Sequence, residues 1–360
     1  MDIREFYKGK RVLVTGSTGF KGTWMCEMLY LMGAEVTGYA LQPSAAPVIF
    51  DILGTGQRIN QIYGDIRDLD DVKRAFRESQ PEIVFHLAAQ PLVRTSYKEP
   101  VYTYAVNVMG TVNVCECVSK SDTVRSFVNV TTDKVYKNEE YEVPFTEDMQ
   151  LDGRDPYSNS KSCSELVTHS YARSFLADKG VAVSTVRAGN VIGGGDFADD
   201  RIIPDCVRAA YENEQIIIRN PYSIRPYQHV LEPVYAYLKI AMEQYLDEEK
   251  QGSYNVGPDE MGCVTTGELA DMFCDIWGHG VSWTNRYDGG PYEAGFLKLN
   301  CDKLNATFGG LPRMSIDETV RLTVSWYREY GNVISCNATD AEDRMLELTR
   351  RQIDEFMMRS

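Results

Sequence analysis

A glycine-rich turn near the N-terminus constrains the fold of this chain more than any other feature. The β-branched run RVLVT, at Arg11–Thr15, leads directly into the segment GSTGFKG at 16–22. Apolar residues then recur at helical spacing over 21–32. A strand, a glycine turn and a helix in this order begin a βαβ unit, so a strand over 35–39 is predicted to run parallel to the first.

The same alternation of strand and helix continues through the first half of the chain. The strands are rich in β-branched residues and almost unbroken in their apolar character, which is typical of a parallel sheet covered on both faces. We therefore predict an α/β fold with a Rossmann-like, doubly wound parallel sheet over residues 1–188. The further strands are predicted over 83–87, 126–131 and 181–187, and the helices over 70–77, 101–118 and 157–176.

The pattern changes after residue 188. Residues 190–200 are rich in glycine and acidic side chains, and short strands then mix with helices. This second half predicts a smaller C-terminal α/β lobe over 189–360, interleaved with the first domain and ended by a charged amphipathic helix from Asp340. Its strands are predicted over 215–219 and 253–256, its helices over 233–245 and 266–277, and its capping boxes at Thr265 with Glu268 and at Ser315 with Glu318.

The charge balance limits the partners. The 360 residues include 52 acidic and 37 basic side chains, giving a formal net charge of −15. This balance disfavours nucleic acid, which needs a basic face. It does not exclude a small anionic ligand, because a few arginines in one cleft can override a charge that is spread over the surface.

Cysteine and histidine spacing bears on redox compartment and metals. The nine cysteines are scattered without a C-x-x-C pair, which is typical of free thiols in a reducing compartment such as the cytoplasm. The four histidines lie far apart, so no zinc signature appears and no metal is expected. The N-terminus lacks an apolar signal core, and no run approaches the roughly 20 apolar residues of a membrane span.

The glycine turn predicts a dinucleotide site. Glycines between a strand and a helix let the backbone approach a pyrophosphate, while the helix N-terminus supplies N–H groups. A tight turn without a ligand is the alternative, and the position at the start of a βαβ unit disfavours it. The candidate cofactor-binding residues are Gly16, Ser17, Thr18, Gly19, Phe20, Lys21 and Gly22.

The sequence leaves the choice between NAD and NADP open at the end of the second strand. Residues 38–42, GYALQ, offer neither the acid typical of NAD sites nor a cation for a 2′-phosphate. The missing cation favours NAD. Asp65, after the third strand, could accept a hydrogen bond from an adenine amino group, although a helix cap or turn is an equal alternative.

Two motifs predict chemistry on an alcohol. Tyr157 and Lys161 lie four residues apart on one helix face, where an ammonium would lower the pKa of the phenol and let it take a proton as hydride leaves carbon. Thr132, Asp133 and Lys134 follow a strand at the edge where ligands of parallel sheets bind. A surface Tyr–Lys pair and a polar strand-end turn are the alternatives if either motif stands alone.

Three arginines predict a phosphate site. Arg201, Arg219 and Arg225 lie in the segments DDRIIPD and IRNPYSIRPYQHV, and guanidinium groups suit phosphate oxygens. Scattered surface arginines are the alternative for any one of them.

Together these motifs resemble the extended short-chain dehydrogenase/reductase family, and most closely its nucleotide-sugar 4,6-dehydratases, over roughly residues 9–330. The segments DPYSNSK, RAGNVIGGGD and IRNPYSIRPYQHVLEP, with Lys134 where related branches have glutamate, resemble the branch that acts on CDP-glucose. Ser17 stands where this branch often has histidine, and Tyr227 replaces a usual tryptophan. The helix beyond about residue 333 matches nothing in the pattern.

The resemblance implies an activity and a cofactor. A resident NAD would accept hydride from C4 of CDP-glucose and return it at C6, giving CDP-4-keto-6-deoxyglucose. Tyr157 would deprotonate the 4-hydroxyl group, with Thr132 holding its oxygen and Lys161 assisting. Lys134 would remove the C5 proton, and Asp133 would protonate the departing 6-hydroxyl group.

The resemblance also implies binding residues and an assembly. It adds Asp65, Ile66, Leu87, Ala88 and Ala89, together with Tyr157 and Lys161, to the cofactor site. It assigns the substrate to Gln90, Asn190, Arg201, Arg219, Arg225 and, on the cytidine side, Glu293. The helices over 101–118 and 157–176 would form a homodimer or a dimer of dimers, although their apolar faces equally fit packing within one chain.

Two other functions remain open at this point. A nucleotide-sugar epimerase shares the glycine turn, Tyr157 and Lys161, but does not need the acid–base pair of Asp133 and Lys134. A regulatory protein that senses NAD(P) without turnover is the more distant alternative, because such proteins tend to lose the tyrosine or the lysine.

Overall fold

The strands of the structure form one large sheet and two small ones. This computed structural model describes residues 1–43, 47–139, 143–258, 262–287, 289, 297–311 and 313–359. Its strands are β1 (Arg11–Thr15), β2 (Glu35–Ala40), β3 (Asn60–Tyr63), β4 (Ile83–His86), β5 (Ser126–Val130), β6 (Ala182–Ala188), β7 (Asn190–Ile192), β8 (Ile216–Ile218), β9 (Ile224–His229), β10 (Gly252–Val256), β11 (Cys263–Thr265) and β12 (Trp283–Asn285).

Helices cover both faces of the large sheet. They are α1 (Ile3–Tyr7), α2 (Phe20–Leu31), α3 (Ile49–Ile52), α4 (Leu69–Ser79), α5 (Val93–Lys98), α6 (Pro100–Tyr104), α7 (Gly110–Lys120), α8 (Pro156–Tyr171), α9 (Ile202–Glu212), α10 (Leu231–Leu246), α11 (Thr266–Trp277), α12 (Asp302–Phe308), α13 (Ile316–Ser335) and α14 (Ala341–Met357). Within the described ranges, no helix has the length and apolar character needed to cross a membrane.

The large sheet has seven parallel strands in the order β3-β2-β1-β4-β5-β6-β10. The chain begins in the middle of the sheet at β1, moves to one edge, and returns past β1 to build the other half. The predicted doubly wound parallel sheet is confirmed. Thr15 at the end of β1 is level with Tyr39 and His86, so the carboxyl ends of three strands form one edge.

Three elements differ from their sequence predictions. The strand predicted over 253–256, assigned to the smaller lobe, is β10 and pairs with β6 at the edge of the large sheet. The helix predicted over 101–118 is divided into α6 and α7 by a π-helical turn at Ala105–Met109. The helix predicted over 157–176 likewise ends in a π-helical turn after α8.

The C-terminal helix α14 belongs to the core rather than to an appended tail. Met345, Ile353 and Phe356 on its inner face are buried. Its Arg350 lies 3.6 Å from the Glu27 carboxylate of α2, which is also paired with Arg58 at 2.8 Å. The final helix therefore covers the helix that starts at the glycine turn.

A buried ion pair fixes helix α8 against the strand edge. Arg187 of β6 and Glu165 of α8 are 1% and 0% exposed and are joined by two hydrogen bonds of 3.0 and 2.9 Å. The Thr131 hydroxyl also donates to Glu165, and the Arg187 guanidinium donates to the Tyr136 hydroxyl at 2.8 Å. The pair thus connects α8, β6 and both ends of the loop that follows β5.

Removing one partner of this pair should destabilise the fold strongly. Arg187→Met leaves Glu165 as an uncompensated buried charge, which costs about 3–5 kcal/mol. Urea unfolding at neutral pH should show that loss, and the double variant Arg187→Met/Glu165→Gln should recover a large part of it. A double variant less stable than the single one would contradict this account of the pair.

Candidate active site

Two glycines of the first turn, Gly16 and Gly22, are required by close backbone contacts. Gly16 has φ +77°, and its N–H donates to the Tyr39 carbonyl at 2.7 Å. A Cβ atom at Gly16 would lie 2.7 Å from the Ala88 nitrogen, and one at Gly22 would lie 2.0 Å from the Gly16 carbonyl oxygen. The turn therefore brings bare backbone and the start of α2 to the carboxyl edge of the sheet, as a pyrophosphate site needs.

A cavity of about 350 Å³ lies above this turn, a size within the usual range of small-molecule sites. It unites every predicted cofactor residue except one. The predicted residues in its lining are Gly16, Thr18, Gly19, Phe20, Lys21, Gly22, Asp65, Ile66, Leu87, Ala88, Ala89, Tyr157 and Lys161.

Ser17 is the exception, because its side chain does not line the cavity, and its assignment to the cofactor stays a prediction. Its side chain is fully buried away from the cavity, and its hydroxyl donates to Gln61 Oε1 at 2.9 Å. A Cβ atom at Gly38 would lie 2.7 Å from that hydroxyl oxygen. Ser17 therefore fills the space between the turn and strands β2 and β3.

Asp65 lies in the cavity lining with its carboxylate already engaged. Arg67 donates to Asp65 Oδ2 at 2.9 and 2.6 Å, and the Arg67 backbone N–H donates to Oδ1 at 2.9 Å. The Arg67 hydrogen bonds lower the pKa of the Asp65 carboxyl, although partial burial opposes them. A ligand amino group at this position would share the carboxylate with Arg67.

Tyr157 meets Thr132 where α8 begins. Asp155 caps the helix by accepting from the Ser158 N–H, and Pro156 precedes Tyr157 in its first turn. Tyr157 and Thr132 both line the second cavity described below. Burial raises the pKa of Tyr157 to about 12, and the Thr132 hydroxyl opposes the rise. Burial therefore dominates the pKa of Tyr157, and Lys161 is not among the largest causes of its shift.

Lys161 is turned toward the backbone of β5. Its Nζ donates to the Val130 carbonyl at 3.0 Å, and the side chain is buried. Burial, and next the charge of Lys21, lowers the pKa of Lys161 to about 7. The lysine is thus held beside the cofactor cavity, one helical turn from Tyr157.

Asp133 has one occupied and one open oxygen. Its Oδ1 accepts from Thr132 Oγ1 at 3.0 Å and from Lys134 Nζ at 3.4 Å. Its Oδ2 is buried and has no hydrogen-bond partner among the described residues. Asp133 is 1% exposed, whereas the Lys134 side chain is 32% exposed and faces the second cavity.

This second cavity, of about 380 Å³, adjoins the first. Phe20, Lys21, Thr131, Tyr157 and Arg201 are among the residues that line both. Thr132, Asp133 and Lys134 line the second cavity, so the reactive groups lie where the two cavities meet. The predicted substrate residues Asn190, Arg201, Arg219 and Arg225 also line it.

Acidic side chains hold two of these arginines. Arg201 is 2.7 Å from Asp196. Burial opposes the charge of the guanidinium, but the charge and hydrogen bond of Asp196, together with nearby tyrosines, raise its pKa. Arg219 is 2.6 Å from Asp200, which also lies 3.5 Å from Arg94. Arg225 is buried, and its Nη1 donates to the Ile224 carbonyl at 3.0 Å.

Sequence reasoning missed several residues of the second cavity. Arg94 follows the carboxyl end of β4, where ligands of parallel sheets bind, and this position could have identified it. Asp200 had no local signal, because its partner Arg219 lies 19 residues further along the chain. The missed charged residues are Arg94, Arg154, Asp155, Asp196, Asp200 and Asp205.

One predicted substrate residue, Gln90, lines neither cavity. It is buried, and its amide donates to Thr103 Oγ1 at 2.9 Å and to the Leu92 carbonyl while accepting from the Leu92 N–H. These bonds occupy the side chain, and its assignment to the substrate stays a prediction. Glu293 lies outside the described residues. Tyr227, the noted departure, lines the second cavity and bonds Thr266 at 3.2 Å.

The fold and the site together define an enzyme of the NAD-dependent, tyrosine–lysine type. Residues 12–257 match the model of the NAD dependent epimerase/dehydratase family, and the chain belongs to that family. The predicted family resemblance is thereby confirmed.

Individual relatives support this membership. The chain is 43% identical to a CDP-glucose 4,6-dehydratase of Salmonella typhimurium, over 96% of this chain and 99% of the relative. It is 27% identical to the dTDP-D-glucose 4,6-dehydratase of Homo sapiens, over 89% and 90%. Its fold is similar to that of a Thermus thermophilus UDP-glucose 4-epimerase in complex with NAD, with a TM-score of 0.76, 25% identity, and coverage of 88% and 99%.

The residues of the first cavity fit NAD. The side-chain-free turn and the N-terminus of α2 suit the pyrophosphate. Lys161 lines this cavity, and Tyr157 lines both cavities. Among the described residues, no group of three or more His, Cys, Asp or Glu side chains could hold a metal ion.

A methyl group in the turn should disrupt cofactor binding. Gly22→Ala would put a Cβ atom 2.0 Å from the Gly16 carbonyl oxygen and displace the pyrophosphate cradle. We expect NAD affinity, measured by calorimetry, to fall at least about tenfold. Gly310→Ala is the matched control, because nothing lies within 4 Å of its Cβ position. Equal affinities of both variants would contradict the role of the turn.

The buried lysine should make stability depend on pH. Burial lowers the pKa of Lys161 to about 7, whereas an unfolded chain leaves a lysine near 10.5. Between these values the unfolded chain binds more protons than the folded one, so the free energy of unfolding rises with pH. Urea unfolding of cofactor-stripped protein should show a steeper rise for the wild type than for Lys161→Met. Parallel pH profiles would show that Lys161 titrates normally.

Proposed function

We propose that this enzyme is a CDP-glucose 4,6-dehydratase that converts CDP-glucose to CDP-4-keto-6-deoxyglucose with NAD as cofactor. The observation that carries the proposal is the junction of the two cavities. There Tyr157 and Thr132 line the same cavity as the Asp133–Lys134 pair. A dehydration that follows oxidation needs a tyrosine that takes the proton of the alcohol and, beside it, an acid–base pair that removes water. The 43% identity to a CDP-glucose 4,6-dehydratase supports the same substrate.

The side chains divide the chemistry between them. Tyr157 takes the proton of the sugar 4-hydroxyl group while Thr132 holds the same oxygen. Bound NAD supplies the hydride acceptor at C4 and the hydride donor at C6, without net oxidation of the substrate. Lys134 removes the C5 proton that the 4-ketone has acidified. Asp133, through its open Oδ2, protonates the departing 6-hydroxyl group.

The arginines of the second cavity would hold the CDP group. Arg219 and Arg225 offer guanidinium groups to the diphosphate, and Asn190 and Arg201 lie nearer the sugar end, beside the lining they share with Tyr157. Their cleft is cationic although the chain carries a net charge of −15. Local arginines, rather than the overall charge, therefore attract the anionic substrate.

A 4-epimerase is the competing activity within this family. An epimerase needs the glycine turn, Tyr157 and Lys161, but has no use for Asp133 and Lys134 as an acid–base pair. A sensor protein without turnover is disfavoured, because both Tyr157 and Lys161 are present and buried in the site. The acid–base pair thus favours the dehydratase over both alternatives.

We also propose a division into lobes, a homodimer and a cytoplasmic location. Residues 1–188 would form the core of the cofactor domain and 189–360 mainly the nucleotide-sugar lobe, interleaved through β10. The helical segments 100–120 and 156–176 leave large apolar side chains exposed to solvent. Such exposed apolar surface supports dimerisation. These exposed residues are Val101 at 82%, Met109 at 52%, Leu166 at 56% and Phe175 at 54%. All nine cysteines are free, which suits a reducing compartment.

A turnover panel tests the proposed activity. CDP-, dTDP-, UDP- and GDP-glucose are incubated with the holoenzyme and the products identified by NMR. We expect the 4-keto-6-deoxy product with CDP-glucose, and a loss of about 10²–10⁴-fold in rate for Tyr157→Phe. An isomeric hexose as product would show that the enzyme is an epimerase and not a dehydratase.

Lys134→Met should interrupt the reaction after oxidation. The variant still oxidises C4, but it lacks the base for C5, so reduced cofactor accumulates and no deuterium enters C5 in D₂O. Absorbance of the reduced cofactor and NMR of the sugar measure the two effects. Full turnover by Lys134→Met with normal NAD binding would exclude the proposed base.

A further inference from the structure

Lys21 is a cation at the junction of the two cavities. The proposed reaction assigns no role to its amine. It is the second residue of α2, and its side chain lines both cavities. Among the described residues, no hydrogen-bond acceptor or carboxylate pairs directly with its ammonium. Pyrophosphate binding by the turn uses backbone N–H groups, so it does not account for a lysine side chain here.

The charges around Lys21 are those of the reactive site. Lys21 interacts electrostatically with Asp133 and Asp196, and with the cations Lys134 and Arg201. Burial, and next the charge of Arg201, lowers the pKa of Lys21 to about 8. Lys161 also senses the charge of Lys21, so the amine lies near both the tyrosine–lysine pair and the acid–base pair.

Asp133 supplies a second observation that indicates a ligand beside Lys21. Its Oδ2 is buried and has no partner within the described part of the chain, while the carboxyl group faces the cavity that Lys21 also lines. An unpartnered carboxyl oxygen and an unpartnered ammonium at the same junction are costly unless a ligand atom completes them. An oxygen that accepts from Lys21 and contacts Asp133 satisfies both groups.

We propose that Lys21 is a further catalytic residue, whose ammonium hydrogen-bonds the 6-oxygen of the hexose and stabilises it as it leaves. The inference rests on the proposed dehydratase function. In the elimination the C5–H bond breaks with its proton going to Lys134, and its electron pair forms the C5–C6 double bond. The C6–O bond breaks, and the oxygen leaves as water with the proton from Asp133. Lys21 keeps its protons and balances the charge left on the carboxylate.

This assignment separates the loss of water from the two steps that precede it. Oxidation at C4 depends on Tyr157 and Thr132, and removal of the C5 proton depends on Lys134. Neither requires a cation at the 6-oxygen, whereas breaking the C6–O bond does. Loss of Lys21 should therefore slow water loss and leave the two earlier steps intact.

The test follows these steps in the holoenzyme after mixing with CDP-glucose in D₂O. Lys21→Gln should form reduced cofactor at the wild-type rate and exchange the C5 proton, but lose water about 10²-fold more slowly. Lys21→Arg, which retains the charge, should recover much of that loss. The exposed Lys8→Met serves as the control and should match the wild type.

A substrate with fluorine at C6 adds a readout that a structural role would not change. Fluoride leaves without protonation and with less charge stabilisation, so the defect of Lys21→Gln should shrink with this substrate. A variant that oxidises and eliminates equally slowly, and recovers with excess NAD, would show that Lys21 serves only the cofactor. Unchanged water loss would also overturn the proposal, and so would a defect of equal size with both substrates.

These outcomes are distinct from failure of the proposed function. If the wild type forms no 4-keto-6-deoxy product from CDP-glucose, the dehydratase function itself is wrong. If the wild type forms it and Lys21→Gln forms it equally fast, only the role of Lys21 is wrong. Cofactor content and thermal unfolding of both Lys21 variants establish that the compared proteins are folded and loaded.

Discussion

The position of the reactive groups depends on one buried charge pair, Glu165 with Arg187. Glu165 lies one turn beyond Lys161 on α8, and it accepts from Thr131, the residue before Thr132. Arg187 extends the same network to Tyr136, at the other end of the loop that carries Thr132, Asp133 and Lys134. Helix α8 and the loop after β5 are thereby bonded to the same buried ion pair. This ion pair therefore fixes the backbones that carry Tyr157 and Thr132 relative to each other.

Electrostatics inside the site differ in sign from those of the whole molecule. The chain is strongly acidic, yet Lys21, Lys134, Lys161 and Arg201 converge near the cavity junction against Asp133 and Asp196. Burial lowers the pKa of two of these lysines toward neutrality, to about 8 and about 7. Groups with such pKa values exchange protons readily near neutral pH, which suits a reaction of several proton transfers.

The elements found from sequence were those with a local, periodic signal. The glycine turn, the β-branched strands and the Tyr157–Lys161 spacing depend on residues close together in the chain, and the structure contains each of them. The side chains of Ser17 and Gln90 line neither cavity, because the direction of a side chain in a turn or loop depends on what packs against it. Residue identity alone did not reveal that Gln61 and Thr103 would occupy them.

The parts that sequence could not supply are pairings between distant residues. Asp200 joins Arg94 to Arg219 across the second cavity, and no spacing rule connects these three positions. The pKa of Tyr157 is a similar case. The nearby lysine suggested a lower value, but burial is a property of the whole fold and dominates the shift.

The docking of α14 onto α2 has a consequence for how the molecule is made. Glu27 on α2 is buried only once Arg350 and the rest of the last helix have reached it, and Trp326 of α13 closes on Gly194 in the same region. During synthesis the first βα unit leaves the ribosome long before these partners exist. The nucleotide-binding turn, although encoded first, therefore rests on a helix whose outer face stays uncovered until translation is almost complete.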